Sequence, residues 1–197
     1  MPLPNSWATP EDFATLFQYL WYRDFPIDQD AKGAKRSDWT IHIGIIVRNI
    51  ADLMGLVTRF ESGKRKDAVL RSAEGDEIAI EWEWGGVFGK ANELDKLKKH
   101  KVRPEGKKRL KYAVLITYTH TYNIDRVYER VKAEWKEAPW PLLLILIDVE
   151  KSNKFFAGVE FKNIQMSKFY KGERTELRSA PALPWKVSKT RWSRELK

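Results

Sequence analysis

Apolar residues recur along the chain in two rhythms. Phe13, Leu16, Phe17 and Leu20 repeat at helical spacing, so one face of a helix is predicted over 10–22. Thr9-Pro10-Glu11-Asp12 marks its start: Thr suits the cap, Pro the first turn, and the two acids the positive end of the helix dipole. After a loop with Pro26 and Gly33, Asp38 can cap a second helix reaching residue 54. Ile43, Ile46, Val47, Ile50 and Met54 give it an apolar stripe, and Gly55 can end it.

The rhythm then changes. Segments 56–61, 67–72 and 78–84 read as three strands, with a Ser62-Gly63 turn after the first and Gly85-Gly86 ending the third. A short helix at 90–99, a basic loop, a strand at 112–119 and a helix at 125–136 follow. Segment 142–149 is almost continuously apolar, as befits a strand covered on both faces. An edge strand is expected at 155–161, and the polar tail from Gly172 is expected to cross the surface. Trp7, Trp140, Trp185 and Trp192 are expected to be the more exposed tryptophans.

This order predicts an α/β protein with a mixed sheet. A three-strand antiparallel meander is followed by strand–helix–strand units, with right-handed crossovers and helices on both faces. The expected organisation is one compact domain. Residues 1–37 pack a helix and loop on the core, 38–165 form the α/β core, and 166–197 form a basic extension.

With 197 residues, 43% of them hydrophobic, the chain can bury a substantial core. It has no cysteine, which excludes disulfides, thiolate zinc sites and a thiol nucleophile. The longest apolar stretch, 139–149, is too short to cross a bilayer as a helix, and residues 1–10 lack the pattern of a signal peptide. An intracellular location is therefore expected. The net charge is +9, and the surplus is clustered. Lys96, Lys98, Lys99, Lys101, Arg103, Lys107, Lys108, Arg109 and Lys111 crowd one segment, while Lys186, Lys189, Arg191, Arg194 and Lys197 close the chain. A polyanion such as DNA is the partner such clusters suit, through phosphate contacts.

Candidate chemistry lies on the second and third strands. A three-residue loop Ala73-Glu74-Gly75 would pair Ser72 with Asp76, Val69 with Ala79 and Asp67 with Glu81. One face then reads Ala68, Leu70, Ile78, Ile80, Trp82 and Trp84; the other gathers Asp67, Glu81 and Glu83. Three adjacent carboxylates repel one another, and a divalent cation relieves the repulsion. Oxygen ligands of this kind suit Mg²⁺ or Mn²⁺, which can activate water and shield a phosphate. A solvated polar face is the alternative reading of the same residues.

The arrangement resembles the PD-(D/E)XK nuclease superfamily, whose restriction-endonuclease-like fold carries an Asp at the start of the second strand and an acid-x-Lys motif on the third. Asp67 and Glu81-Trp82-Glu83 match those positions, and the resemblance covers roughly 38–119. Lys66 stands where Pro is common, and Glu83 where Lys is usual, which is similar to the acid-x-acid members of the fold. The resemblance implies that Asp67 and Glu81 ligate the metal and that Glu83 orients or deprotonates the attacking water. It also implies an accessory acid, for which Asp52 and Glu61 are the candidates, and a displaced positive charge, for which Lys90 is one. The expected activity is Mg²⁺-dependent hydrolysis of DNA, of restriction, recombination or repair type, by a homodimer where both strands are cut. The alternative is a non-catalytic basic protein that binds nucleic acid. His42, His100 and His120 lack metal-ligand spacing, and the chain has no phosphate-binding glycine loop or nucleophile elbow.

Overall fold

The computed structural model describes residues 8–26, 36–62, 66–84, 87, 92–100, 110–151 and 159–187. Helices α1 (Pro10–Arg23) and α2 (Arg36–Leu53) precede strands β1 (Val57–Ser62), β2 (Lys66–Ser72) and β3 (Gly75–Glu83). Then come α3 (Glu93–Lys98), β4 (Tyr112–His120), α4 (Ile124–Trp135), β5 (Leu142–Lys151), β6 (Val159–Tyr170) and β7 (Glu173–Pro181). The strands form one seven-stranded sheet in sequential order. Neighbours are antiparallel from β1 to β3 and from β5 to β7, and parallel across β3, β4 and β5. The fold is α/β with a mixed sheet, the class that the two rhythms predict.

Each parallel step needs a crossover, and α3 and α4 supply the two. Crossovers of one hand stepping the same way along a sheet leave both helices on one face. There Leu94 and Leu97 of α3 and Val127, Val131 and Trp135 of α4 cover Ala79, Ala113, Leu115, Leu142 and Leu144. The opposite face is covered by α1 and α2, where Phe17, Trp21, Trp39, Ile46 and Ile50 pack over Ala68, Leu70, Ile80, Val114 and Ile145. Each buried Leu, Ile, Val or Phe among them contributes about 1.5–3 kcal/mol through burial.

Local chemistry explains the ends. Thr9 and Asp12 cap α1 reciprocally, with Thr9 Oγ1 accepting from Asp12 N at 3.1 Å and Asp12 Oδ2 accepting from Thr9 N at 3.2 Å. Trp21 Nε1 donates to Ala182 O at 2.7 Å and Tyr22 Oη to Pro181 O at 2.6 Å, which ties α1 to the end of β7. His42 sits among Trp21, Phe25 and Trp39. Burial lowers its pKa to about 4, so it packs there as a neutral ring. Among the described residues no helix is long and apolar enough to cross a membrane.

Several expectations are corrected. The turn between β2 and β3 has two residues, not three: Ser72 pairs with Gly75 and Arg71 with Asp76. A bulge between Leu70 and Arg71 then absorbs Glu77 as an extra residue, so Leu70 meets Ile78 and Val69 meets Ala79. The bulge restores the parity expected at the acidic end. Glu77 is held there by Ser72 Oγ, which donates at 2.6 Å, and by Lys111 Nζ at 3.2 Å. Within the polar tail, Glu173–Pro181 form β7, which extends the sheet beyond β6 instead of crossing the surface as a loop. The charges of β7 hid the strand because they grip its neighbours. Arg174 lies 3.4 Å over the Tyr128 ring, and Arg178 Nη1 donates to Gln18 Oε1 at 2.7 Å. Trp140, expected at the surface, is buried. Its carbonyl accepts from Trp135 Nε1 at 2.8 Å.

Candidate functional site

The ladder between β2 and β3 ends at the pair Ala68 and Ile80. Beyond it the Trp82 N–H would lose its strand partner, and Asp67 Oδ2 accepts it at 2.6 Å. That bond turns Asp67 toward β3, where its carboxyl lies close enough to that of Glu81 for the two to interact. Both acids belong to the α3 and α4 face of the sheet. Their neighbours Ala68 and Ile80 point into the opposite core.

Glu81 is 1% exposed, and its Oε1 has no hydrogen-bond partner. Burial first, then repulsion by Asp67 and Glu93, raises its pKa to about 9. Burial raises Asp67 as well, against the pull of the Trp82 N–H. Two carboxyl groups held side by side, one buried and one half-buried, favour a proton or a cation between them.

Helix α3 brings two further charges to this place. Asn92 Oδ1 caps it by accepting from Asp95 N at 3.0 Å, and buried Leu94 and Leu97 fix its inner face. Glu93 and Lys96, three residues apart, share one side of the helix. Lys96 Nζ lies 2.7 Å from Glu93 Oε2 and 3.0 Å from Oε1. Glu93 repels both Asp67 and Glu81, and Lys96 attracts them. Glu83, half-buried, lines a cleft of about 10 Å³ with Asn92, Glu93, Leu115 and Thr117, a space the size of one water. Thr117 Oγ1 fixes the strand end there by donating to Glu83 O at 3.0 Å.

The structure thus brings Asp67 and Glu81 together, with Glu83 farther along β3 at the adjoining cleft. Asp52 is exposed on α2, in the helix layer of the other face. Glu61 is exposed on β1, flanked by the pairs Phe60 with Ala68 and Ser62 with Lys66, so it stands across from Asp67. Its φ of 48° is left-handed, a conformation that costs a non-glycine residue about 1–2 kcal/mol. Lys98 Nζ donates to Glu134 O at 3.0 Å, binding α3 to α4, and Lys99 pairs with Asp95 at 2.7 Å. Lys90, Lys101, Arg103, Lys107, Lys108 and Arg109 lie outside the described residues, as do Lys189, Arg191, Arg194 and Lys197. Lys186 pairs with Glu160.

Sequence reasoning missed Glu93. Its signal was an acid three residues before a lysine, on a short helix after the acidic strand, with Leu94 and Leu97 fixing the buried side. His100 takes a structural place: its Nε2 lies 3.1 Å from Asp76 Oδ2, and Arg71 holds the other oxygen at 2.6 Å. His120 stacks on Tyr122 at the end of β4.

Among the described residues no three His, Cys, Asp or Glu side chains form a ready-made cage for a metal ion. No protein-family model matches the chain, and no curated protein matches it in sequence.

Proposed function

We propose that this chain is a divalent-metal-dependent deoxyribonuclease of the PD-(D/E)XK type, with an acid-x-acid motif at Glu81 and Glu83. The observation that carries this reading is the approach of half-buried Asp67 to buried Glu81 at the open end of a hairpin, with one glutamate oxygen unpartnered. Antiparallel β1, β2 and β3 with β4 parallel to β3 suit that fold. The net charge of +9 suits a polyanionic substrate.

The donor set fits Mg²⁺ or Mn²⁺. Such ions use one or two carboxylates, several waters and the substrate phosphate rather than an all-protein cage. Asp67 and Glu81 would hold the ion, their mutual repulsion relieved by its charge. When bound, the ion supplies charge stabilisation at a phosphate oxygen and makes nearby water more acidic. Glu83 faces the cleft and accepts the proton of the attacking water. The water oxygen forms a bond to phosphorus, one bridging P–O bond breaks, and the departing sugar oxygen takes a proton from solvent.

Asp67→Asn and Glu81→Gln test the reading. Each keeps the side-chain shape, so plasmid nicking in Mg²⁺ should fall at least a hundredfold while DNA binding persists. Cleavage at the wild-type rate in both variants would refute it. The second reading, a basic protein that binds nucleic acid without cutting, rests on the charge alone. It predicts salt-sensitive binding and no metal-dependent cleavage.

A further inference from the structure

The three lysines of α3 look alike in sequence, and the structure separates them. Lys98 is committed to the Glu134 carbonyl and Lys99 to Asp95. Lys96 reaches the other way, to Glu93, and its charge acts on both Asp67 and Glu81. Its side chain stays 41% exposed, so the ammonium faces both the acids and the solvent from which a substrate would come. Both Glu93 oxygens lie within 3.0 Å of Nζ, which narrows the positions the ammonium can take. Glu93 also lines the Glu83 cleft, so the pair spans the gap between the two parts of the site.

We infer that Lys96 is a catalytic residue of this site, donating from Nζ to a non-bridging oxygen of the phosphate under attack, and that Glu93 is the residue positioning it. The inference rests on the nuclease reading above. As water adds to phosphorus, negative charge gathers on those oxygens, and an ammonium placed in advance stabilises it more than it stabilises the ground state. Lys96 keeps its proton throughout, so the water and leaving-group steps are unchanged. A lysine that only gripped the DNA backbone would act on substrate affinity instead.

The test compares the wild type with Lys96→Met, Lys96→Arg, Glu93→Gln, the double variant Glu93→Gln with Lys96→Met, and the exposed control Lys132→Met. Plasmid cleavage in Mg²⁺ gives kcat and KM, and titration of DNA-free protein with Mn²⁺, followed by electron paramagnetic resonance, gives ion affinity. Lys96→Met should lower kcat about 10²–10³-fold with KM within a factor of three, as the loss of one transition-state donor does. Its Mn²⁺ affinity should be equal or higher, because a repelling charge has gone. Lys96→Arg should recover part of kcat. The double variant should be no slower than Lys96→Met, and Lys132→Met should match the wild type. Unchanged kcat with a raised KM in Lys96→Met, or loss of Mn²⁺ binding there, would overturn the inference. A wild type that neither binds Mn²⁺ nor cuts DNA would overturn the nuclease reading and the inference together.

Discussion

Replacing Glu81 with Gln preserves the length of the side chain and removes its charge. Native Glu81 holds its proton up to about pH 9, whereas in the unfolded chain it titrates near its ordinary value of 4.5. A carboxyl raised in the native state stabilises below its unfolded pKa, and that stability drains away as pH climbs to the native value. Each proton held only by the native state costs about 1.4 kcal/mol per pH unit. Across the window 6.5–8.5 the Glu81 effect dominates, because burial lowers His42 and His100, whose opposing contributions fade as their unfolded imidazoles lose the last of their protons just above 6.5. Across that window the metal-free protein should lose about 1–3 kcal/mol, allowing for relaxation around the new charge. For a chain of this size the loss corresponds to a fall in Tm of roughly 3–10 °C. Thermal unfolding in EDTA, followed by circular dichroism, measures it. Glu81→Gln should be flat across the window, and excess Mn²⁺ should cancel the wild-type fall. A flat wild-type profile, or an equal fall in both proteins, would refute the reasoning.

Other substitutions probe other links. Asp67→Ala leaves the Trp82 N–H without its acceptor and should cost about 1–3 kcal/mol, measured by urea unfolding, whereas Asp67→Asn should cost less. Asp148 is fully buried and accepts from Asn163 N at 3.0 Å and from Asn163 Nδ2 at 3.4 Å, so Asp148→Ala should cost about 1–3 kcal/mol by the same assay. Trp21→Phe removes the donor to Ala182 O; it should lower Tm by several degrees through a loss of about 1–2 kcal/mol. DNA binding should weaken linearly in log K against log salt, and a slope near zero would show that the basic surplus does not meet phosphates.

The chain announces its fold most clearly where burial is one-sided or, as on β5, complete on both faces. The stripes of α1 and α2, the apolar run of β5 and the alternation of β3 each point to one element type. Strand parity predicts Asp67 opposite Glu81 even from a three-residue turn, because the bulge at Glu77 and the shorter turn shift the register by compensating amounts. Local pattern cannot reveal such a bulge, since Glu77 is held in place by Lys111, more than thirty residues away. β7 was hidden for a similar reason. Arg174 and Arg178 read as solvent-facing until Tyr128 and α1 lie beside them. Glu93 joined the acids only once the crossover fixed α3 against β3, a three-dimensional fact that spacing along the chain does not encode.

The pairing of Asp67 with Glu81 around a divalent ion is tested most directly by crystals of the wild-type protein soaked in Mn²⁺, with anomalous diffraction recorded. A single peak within 2.0–2.4 Å of an oxygen from each residue is the predicted result, at about the bond lengths that hard divalent ions make with carboxylates. Well-ordered carboxyl groups in direct contact with each other, and no peak between them at saturating Mn²⁺, would contradict it.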